Sequence, residues 1–268
     1  MSVTIPVYLK NLKKQLLIGI IPPLFVALFI PIMSFIWPEF KAQSAAFNDI
    51  IQSEFYRLIL GELGLVDIST WEGFLFMYVF MWMEWIVIFV TIFIPTRLIT
   101  AEVEKGTFDF ILSYPIPRWR YLLSKYLVYL TYNIFYIIFA VPTIYLFTIL
   151  LDESLDVSVV IYALIGFWLI LFALGSISLL SASIFMDNNR SLVVSAILIL
   201  GQYILVRLAG LVESIHILKN FSIFNYLYSI DIVNLGSLPL DEVFIVFSVG
   251  LISLILALFI FQRREIPQ

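Results

Sequence analysis

Residues 157–186 read VSVVIYALIGFWLILFALGSISLLSASIFM, 30 consecutive positions without a charge, closed by Asp156 and Asp187. A helix needs about 20 apolar residues to cross the hydrocarbon core of a bilayer. The stretch is therefore long enough to span, with residues left over to tilt or project. Helix is the expected conformation, because lipid admits only helices and closed barrels, and the alternating ten-residue strands of a barrel are not seen.

Working outward, the charges delimit five further apolar runs. Lys14 and Glu39 enclose 24 residues, Lys125 and Asp152 enclose 26, and Glu242 and Arg263 enclose 20. Glu72 and Arg97 enclose 24 interrupted by Glu84, and Arg190 and Glu213 enclose 22 interrupted by Arg207. The reading is an all-α membrane protein of six transmembrane helices, at about 16–37, 74–95, 125–150, 158–185, 192–212 and 243–261, forming one membrane domain over 1–268 with no appended soluble domain. Pro22, Pro23 and Pro31 predict a bend in the first helix. That run is too long for a signal peptide, and no small-residue cleavage pattern follows it.

Composition agrees. Hydrophobic residues make up 62% of the 268, charged residues only 13%, and the mean hydropathy is +1.06. A soluble enzyme, a nucleic-acid-binding domain and a disordered chain are excluded. Cys is absent and His216 is the single histidine, which removes disulfides, thiolate sites and most zinc or acid–base constellations.

Six spans put both termini on one side. Lys10, Lys13, Lys14, Arg97, Lys105, Arg118, Arg120, Lys125, Arg190, Arg263 and Arg264, 11 of the 15 basic residues, fall on the side of the termini. Of the 19 acidic residues, 13 fall on the other side. The positive-inside rule then makes both termini cytoplasmic.

Outside the spans, Val7 to Lys14 suits a short interfacial helix facing anionic headgroups, or simply anchors the first span. In the first outer connection Phe47, Ile50, Ile51, Phe55, Leu58 and Ile59 fall at helical spacings, which predicts a surface or bundle-packed helix, with a ligand lid as the alternative. Glu213 to Glu242 is apolar but broken, and is expected to re-enter the outer membrane surface. Trp37, Trp71 and Tyr121 are expected as interface anchors.

The cytoplasmic stretch Arg97–Lys125 between the second and third spans carries the functional information. Gly106 permits a tight backbone, Thr107 can cap a helix, and Asp109 suits its positive end. Phe108, Ile111 and Leu112 make an i, i+3, i+4 apolar face, and Pro115 and Pro117 stop the helix. A short capped helix at about 107–114, apolar on one face, is thus expected at the cytoplasmic surface, needing a partner in the bundle, the lipid or another subunit.

Glu102-x-x-x-Gly106-Thr107-x-Asp109-x-Ile111-Leu112-Ser113-x-Pro115-Ile116-x-Arg118, with a later Lys125, resembles the cytoplasmic-loop signature of ABC-2 type permeases, the membrane subunits of type-2 ABC exporters. Ile111 stands where the family usually has leucine, and Pro117 where serine is commoner. The motif covers about 25 residues, while the six spans, the long first outer loop and the broken segment before the last span are similar across the whole chain. The resemblance implies that this short helix is a coupling helix docking on a separate ATP-hydrolysing subunit, through Glu102, Gly106, Thr107, Phe108, Asp109, Ile111, Leu112, Pro115 and Arg118. It implies a pair of such ATPase subunits and a second permease copy or paralogue. The chain would not itself be an enzyme: it has no phosphate-binding G-x-x-x-x-G-K-[ST] loop, so ATP and magnesium would sit on the partner.

Glu84 lies near mid-span, and an ionisable residue there is a functional candidate by default. Arg207 could pair with it, and Gln202 and Tyr203 could bond across helices. These three polar positions, Glu84, Gln202 and Arg207, form a candidate pathway or gate, with a purely structural pair as the bland reading. A secondary transporter carrying ions or protons on Glu84, and a non-transporting scaffold, are the alternative functions.

Overall fold

A computed structural model of the chain describes residues 4–51, 67–106, 117–227, 231–232 and 235–264. Among these residues there is no strand, and six helices are long and apolar enough to cross a membrane. The short coupling helix expected at about 107–114, and most of the amphipathic stretch of the first outer connection, lie outside the described residues.

Seven helices organise the described chain: α1 (Thr4–Lys14), α2 (Leu16–Ile51), α3 (Trp71–Glu104), α4 (Arg118–Leu150), α5 (Val157–Phe185), α6 (Asn188–Leu211) and α7 (Leu240–Arg263). The spans are α2 to α7. Several run past the charge-free limits. A charge stops the apolar run but not the hydrogen-bond ladder, so α2 continues beyond Glu39 to Ile51, and α4 starts at Arg118 rather than 125. The prolines at 22, 23, 31 and 38 do not end α2. In lipid a helix has no water to bond instead, which favours keeping the remaining ladder intact.

Ends are set by local chemistry. Thr70 Oγ1 accepts from Gly73 N at 3.1 Å and caps α3. Asp156 accepts from Ser158 N at 2.8 Å, and Asp187 from Arg190 N at 2.8 Å, so the two acids closing the 30-residue run cap α5 and α6. Within α3 one turn, Phe76–Phe80, is π-helical, with the Phe76 and Phe80 rings stacked at 4.4 Å.

The stretch 157–186 becomes the hub. α5 packs against α3, α4, α6 and α7, and 61% of its most apolar window is buried inside the bundle, against 17% for α6 and α7. A helix apolar on all sides belongs in such a place. Its neighbours come close: a Cβ on Gly175 would lie 2.7 Å from the Tyr129 ring, and one on Gly250 of α7 would lie 2.5 Å from Phe172. Tyr129 donates to Leu171 O at 2.9 Å, and Tyr126 to Phe172 O at 2.7 Å, tying α4 to α5.

α1 is a helix as expected, and it is docked rather than free. Tyr8 and Thr131 hydroxyls meet at 2.7 Å, and Tyr132 donates to the carbonyl of Leu12, while Lys10, Lys13 and Lys14 stay exposed. Trp37 and Trp71 depart from expectation. They are fully buried in an aromatic cluster with Phe40, Phe74 and Tyr78 that joins the later part of α2 to the start of α3. Each indole finds a polar partner there, Glu153 Oε1 for Trp37 and Thr148 Oγ1 for Trp71, both at 2.8 Å, so no membrane surface is needed to satisfy it.

Candidate functional site

Two sets of sequence-predicted residues can be followed into the structure: the charged pair inside the bundle and the two ends of the motif loop.

Glu84 follows the π-helical turn of α3, and Arg207 sits on the adjacent α6. Arg207 Nη2 donates to Glu84 Oε2 at 2.6 Å. Both side chains are largely withdrawn from the surface, at 33% and 17% exposure. A lone charge in hydrocarbon is costly, and a facing counter-charge offsets part of that cost. Tyr203 lies one helical turn before Arg207, and the guanidinium sits 5.2 Å from its ring centre. The Tyr203 ring also meets Trp85 at 5.2 Å and Phe224 at 5.4 Å.

The broken segment after α6 folds back over this pair. Glu213–Phe221 and Ile223–Asn225 are short 3-10 turns. Gln202, expected to bond across spans, instead holds this segment: its Oε1 accepts from Ile223 N and its carbonyl from Ser222 Oγ, both at 3.0 Å. Glu242 at the start of α7 accepts from Leu227 N at 2.5 Å. Phe224 and Leu227, brought in this way, line a cavity of about 30 Å³ with Phe80, Glu84, Val87 and Phe167. The segment therefore returns into the bundle, and its tip covers Glu84. The part played by Phe224 was not legible beforehand, since one phenylalanine in an aromatic-rich segment carries no mark of its contact.

At the other end of α3 lies the motif loop. It leaves α3 through Gly106, at φ +61° with nothing within 4 Å of a would-be Cβ, and re-enters α4 after Pro117. A positive φ is where glycine is favoured over any other residue. Thr107, Phe108, Asp109, Ile111, Leu112 and Pro115 lie outside the described residues. The flanking motif residues are described, and they face the protein. Glu102 Oε1 sits 2.6 Å from Lys125 Nζ, and both Glu102 oxygens accept from Tyr121 OH at 2.7 Å. Lys125 Nζ also donates to Leu98 O at 2.6 Å. Arg118 Nη1 donates to the carbonyl of Arg264 at 2.7 Å, just beyond α7. The Glu102–Lys125 pair was missed in the sequence, although both residues belong to the motif. Their 23-residue separation gives no helical spacing to read.

An uncharacterized membrane protein of Bacillus subtilis (strain 168), YdbK, is 31% identical to the chain over 133 residues, which are 46% of this chain and 53% of that protein. The chain thus spans about half the length of the curated relative it matches. No solved structure matches. The family described as ABC-2 family transporter protein matches residues 11–266, and this multi-pass integral membrane protein belongs to it as a membrane transporter component.

Proposed function

We propose that the chain is the permease subunit of an ATP-driven exporter, taking its energy from a separate ATP-hydrolysing subunit that docks on the loop between α3 and α4. The observation that carries the reading is the motif loop itself. It joins two spans of an ABC-2 family bundle, and its sequence sets Phe108, Ile111 and Leu112 at i, i+3, i+4 spacing between Gly106 and Pro115. An apolar face on a short surface helix needs a groove to fill. ATP and magnesium then belong to the partner. Two partner subunits and two permeases make the working unit, with the termini and the loop on the cytoplasmic side.

In this mechanism nucleotide closes the ATPase pair, the loops are pushed, and the two permeases switch between inward-closed and outward-open forms. Glu84, which shares a cavity with Phe224 and Leu227 and is bonded to Arg207, supplies with them an outer closure that parts when the pathway opens outward. The alternative of Glu84 as an ion or proton carrier would have to break its 2.6 Å bond to Arg207.

The test is co-purification with an ATP-binding cassette subunit made in the same cells. Leu112→Arg and Gly106→Asp leave the bundle folded, but abolish co-purification and permease-dependent ATP turnover. Retention of both by both variants would sink the coupling assignment.

A further inference from the structure

A loop can pass force to a bundle only if both its ends are fixed to the helices it must move. Here the described ends are fixed to one another. Lys125 has only 4% of its side chain exposed and Glu102 13%, so the pair is shielded from water and salt. The carboxylate is fully engaged, by Lys125 on one oxygen and by Tyr121 OH on both. The ammonium is held by Glu102, by Leu98 O one turn earlier on α3, and by the Tyr121 ring 5.1 Å away. Four groups from the end of α3 and the start of α4 thus form one closed network, directly inside the hinge at Gly106 and the entry at Pro117. A third helix joins at the same level. Arg118 reaches Arg264 O, and Trp119 N donates to Gln262 Oε1 at 3.0 Å on α7.

Such a network costs desolvation, and an apolar replacement of similar volume is often as stable or more so. Fold stability alone does not require it. Its geometry resists a specific motion, the separation or sliding of α3 against α4 at the place where a push on the loop would arrive.

We propose that Glu102, Tyr121 and Lys125 are positioning residues that clamp the two roots of the loop, so that a displacement of the loop moves α3 and α4 as one body and carries α7 through Arg118 and Trp119. The motif's glutamate and its trailing lysine then serve transmission within this chain, not contact with the partner. This rests on the loop being the docking element.

The test uses the full chain with its ATP-binding subunit and a non-hydrolysable ATP analogue, read by hydrogen–deuterium exchange. In the unaltered complex the analogue changes protection at the far ends of the clamped helices, residues 71–80 and 140–150. The double variant Glu102→Leu/Lys125→Met still co-purifies with the subunit, but the protection change is lost from those ends and confined to the loop. Tyr121→Phe, which keeps the ion pair and the ring, gives a reduced change at the far ends. It also stands as the test should the double variant not fold. Full propagation in these variants would overturn the clamp. So would loss of co-purification in the double variant, since Glu102 would then be a docking contact. Failure of the unaltered chain to bind any such subunit would instead overturn the functional reading beneath it.

Discussion

Position 84 shows what a single charge does inside a membrane bundle. Glu84 exists there because Arg207 faces it at 2.6 Å, and Arg207 is further supported by the Tyr203 ring. Glu84→Gln leaves a partly buried guanidinium without its counter-charge, and should destabilise the protein by about 1–3 kcal/mol. Glu84→Leu/Arg207→Leu should cost less than the single change, as a double-mutant cycle of thermal unfolding in detergent would reveal; additive losses would refute the pairing. Glu153, in the connection after α4, behaves differently. Burial pushes its carboxyl up, but hydrogen bonds from Lys41 and Trp37 and the charge of Lys41 outweigh this and hold it below the ordinary carboxylate value. Its folded pKa is depressed, so the stabilisation is fully present above the ordinary value and is lost as pH falls through the folded one. Lys41 is half exposed, so the amount is under about 1 kcal/mol. Melting should therefore show a small loss of stability under acid that Glu153→Gln removes; an unchanged acid response in that variant would contradict the assignment.

Among elements, α5 carries the bundle. Its neighbours approach closely at glycines, with Gly175 under Tyr129 and Gly250 of α7 under Phe172. Gly250→Val would drive methyl groups into a buried ring and the backbone of Ala173, and should lower stability by roughly 1–3 kcal/mol through forced separation of α5 and α7. Equal melting of Gly250→Val and the unaltered protein would contradict this packing. The opening stretch was readable as a span with residues left over to tilt or project; its central place shows only in the fold, where α3, α4, α6 and α7 pack around its 30 uncharged residues. The caps at Asp156 and Asp187 were readable as charges but only the fold shows them as caps. The helix ends were not readable. α2 and α4 extend through charged residues because, beyond the hydrocarbon, polarity no longer opposes helix. Nor was the burial of Trp37 and Trp71, since an indole needs one polar partner and composition does not say whether a headgroup or Glu153 and Thr148 supply it.

At the scale of the whole molecule, the six spans were legible because charges are expensive in lipid and therefore mark boundaries. The Glu84–Arg207 pairing was legible for the same reason, as two costly groups on neighbouring spans. The inward-facing bonds of Glu102, Tyr121 and Lys125 were hidden, because sequence shows that charges gather around a loop but not which of them face the protein. The account that results divides the labour along the bundle: a loop at one end receives force, α3, α4 and α7 carry it, and the covered ion pair lies toward the other end. Its central claim is that the loop meets an ATP-hydrolysing subunit on the side of the termini. The chain has no native cysteine, so Leu112→Cys and Asn220→Cys can each carry a single photo-cross-linker in cells that make the ATP-binding cassette subunit. The account predicts cross-linking to that subunit from position 112 and none from position 220; cross-linking from 220, or none from 112 while the two proteins co-purify, would contradict it.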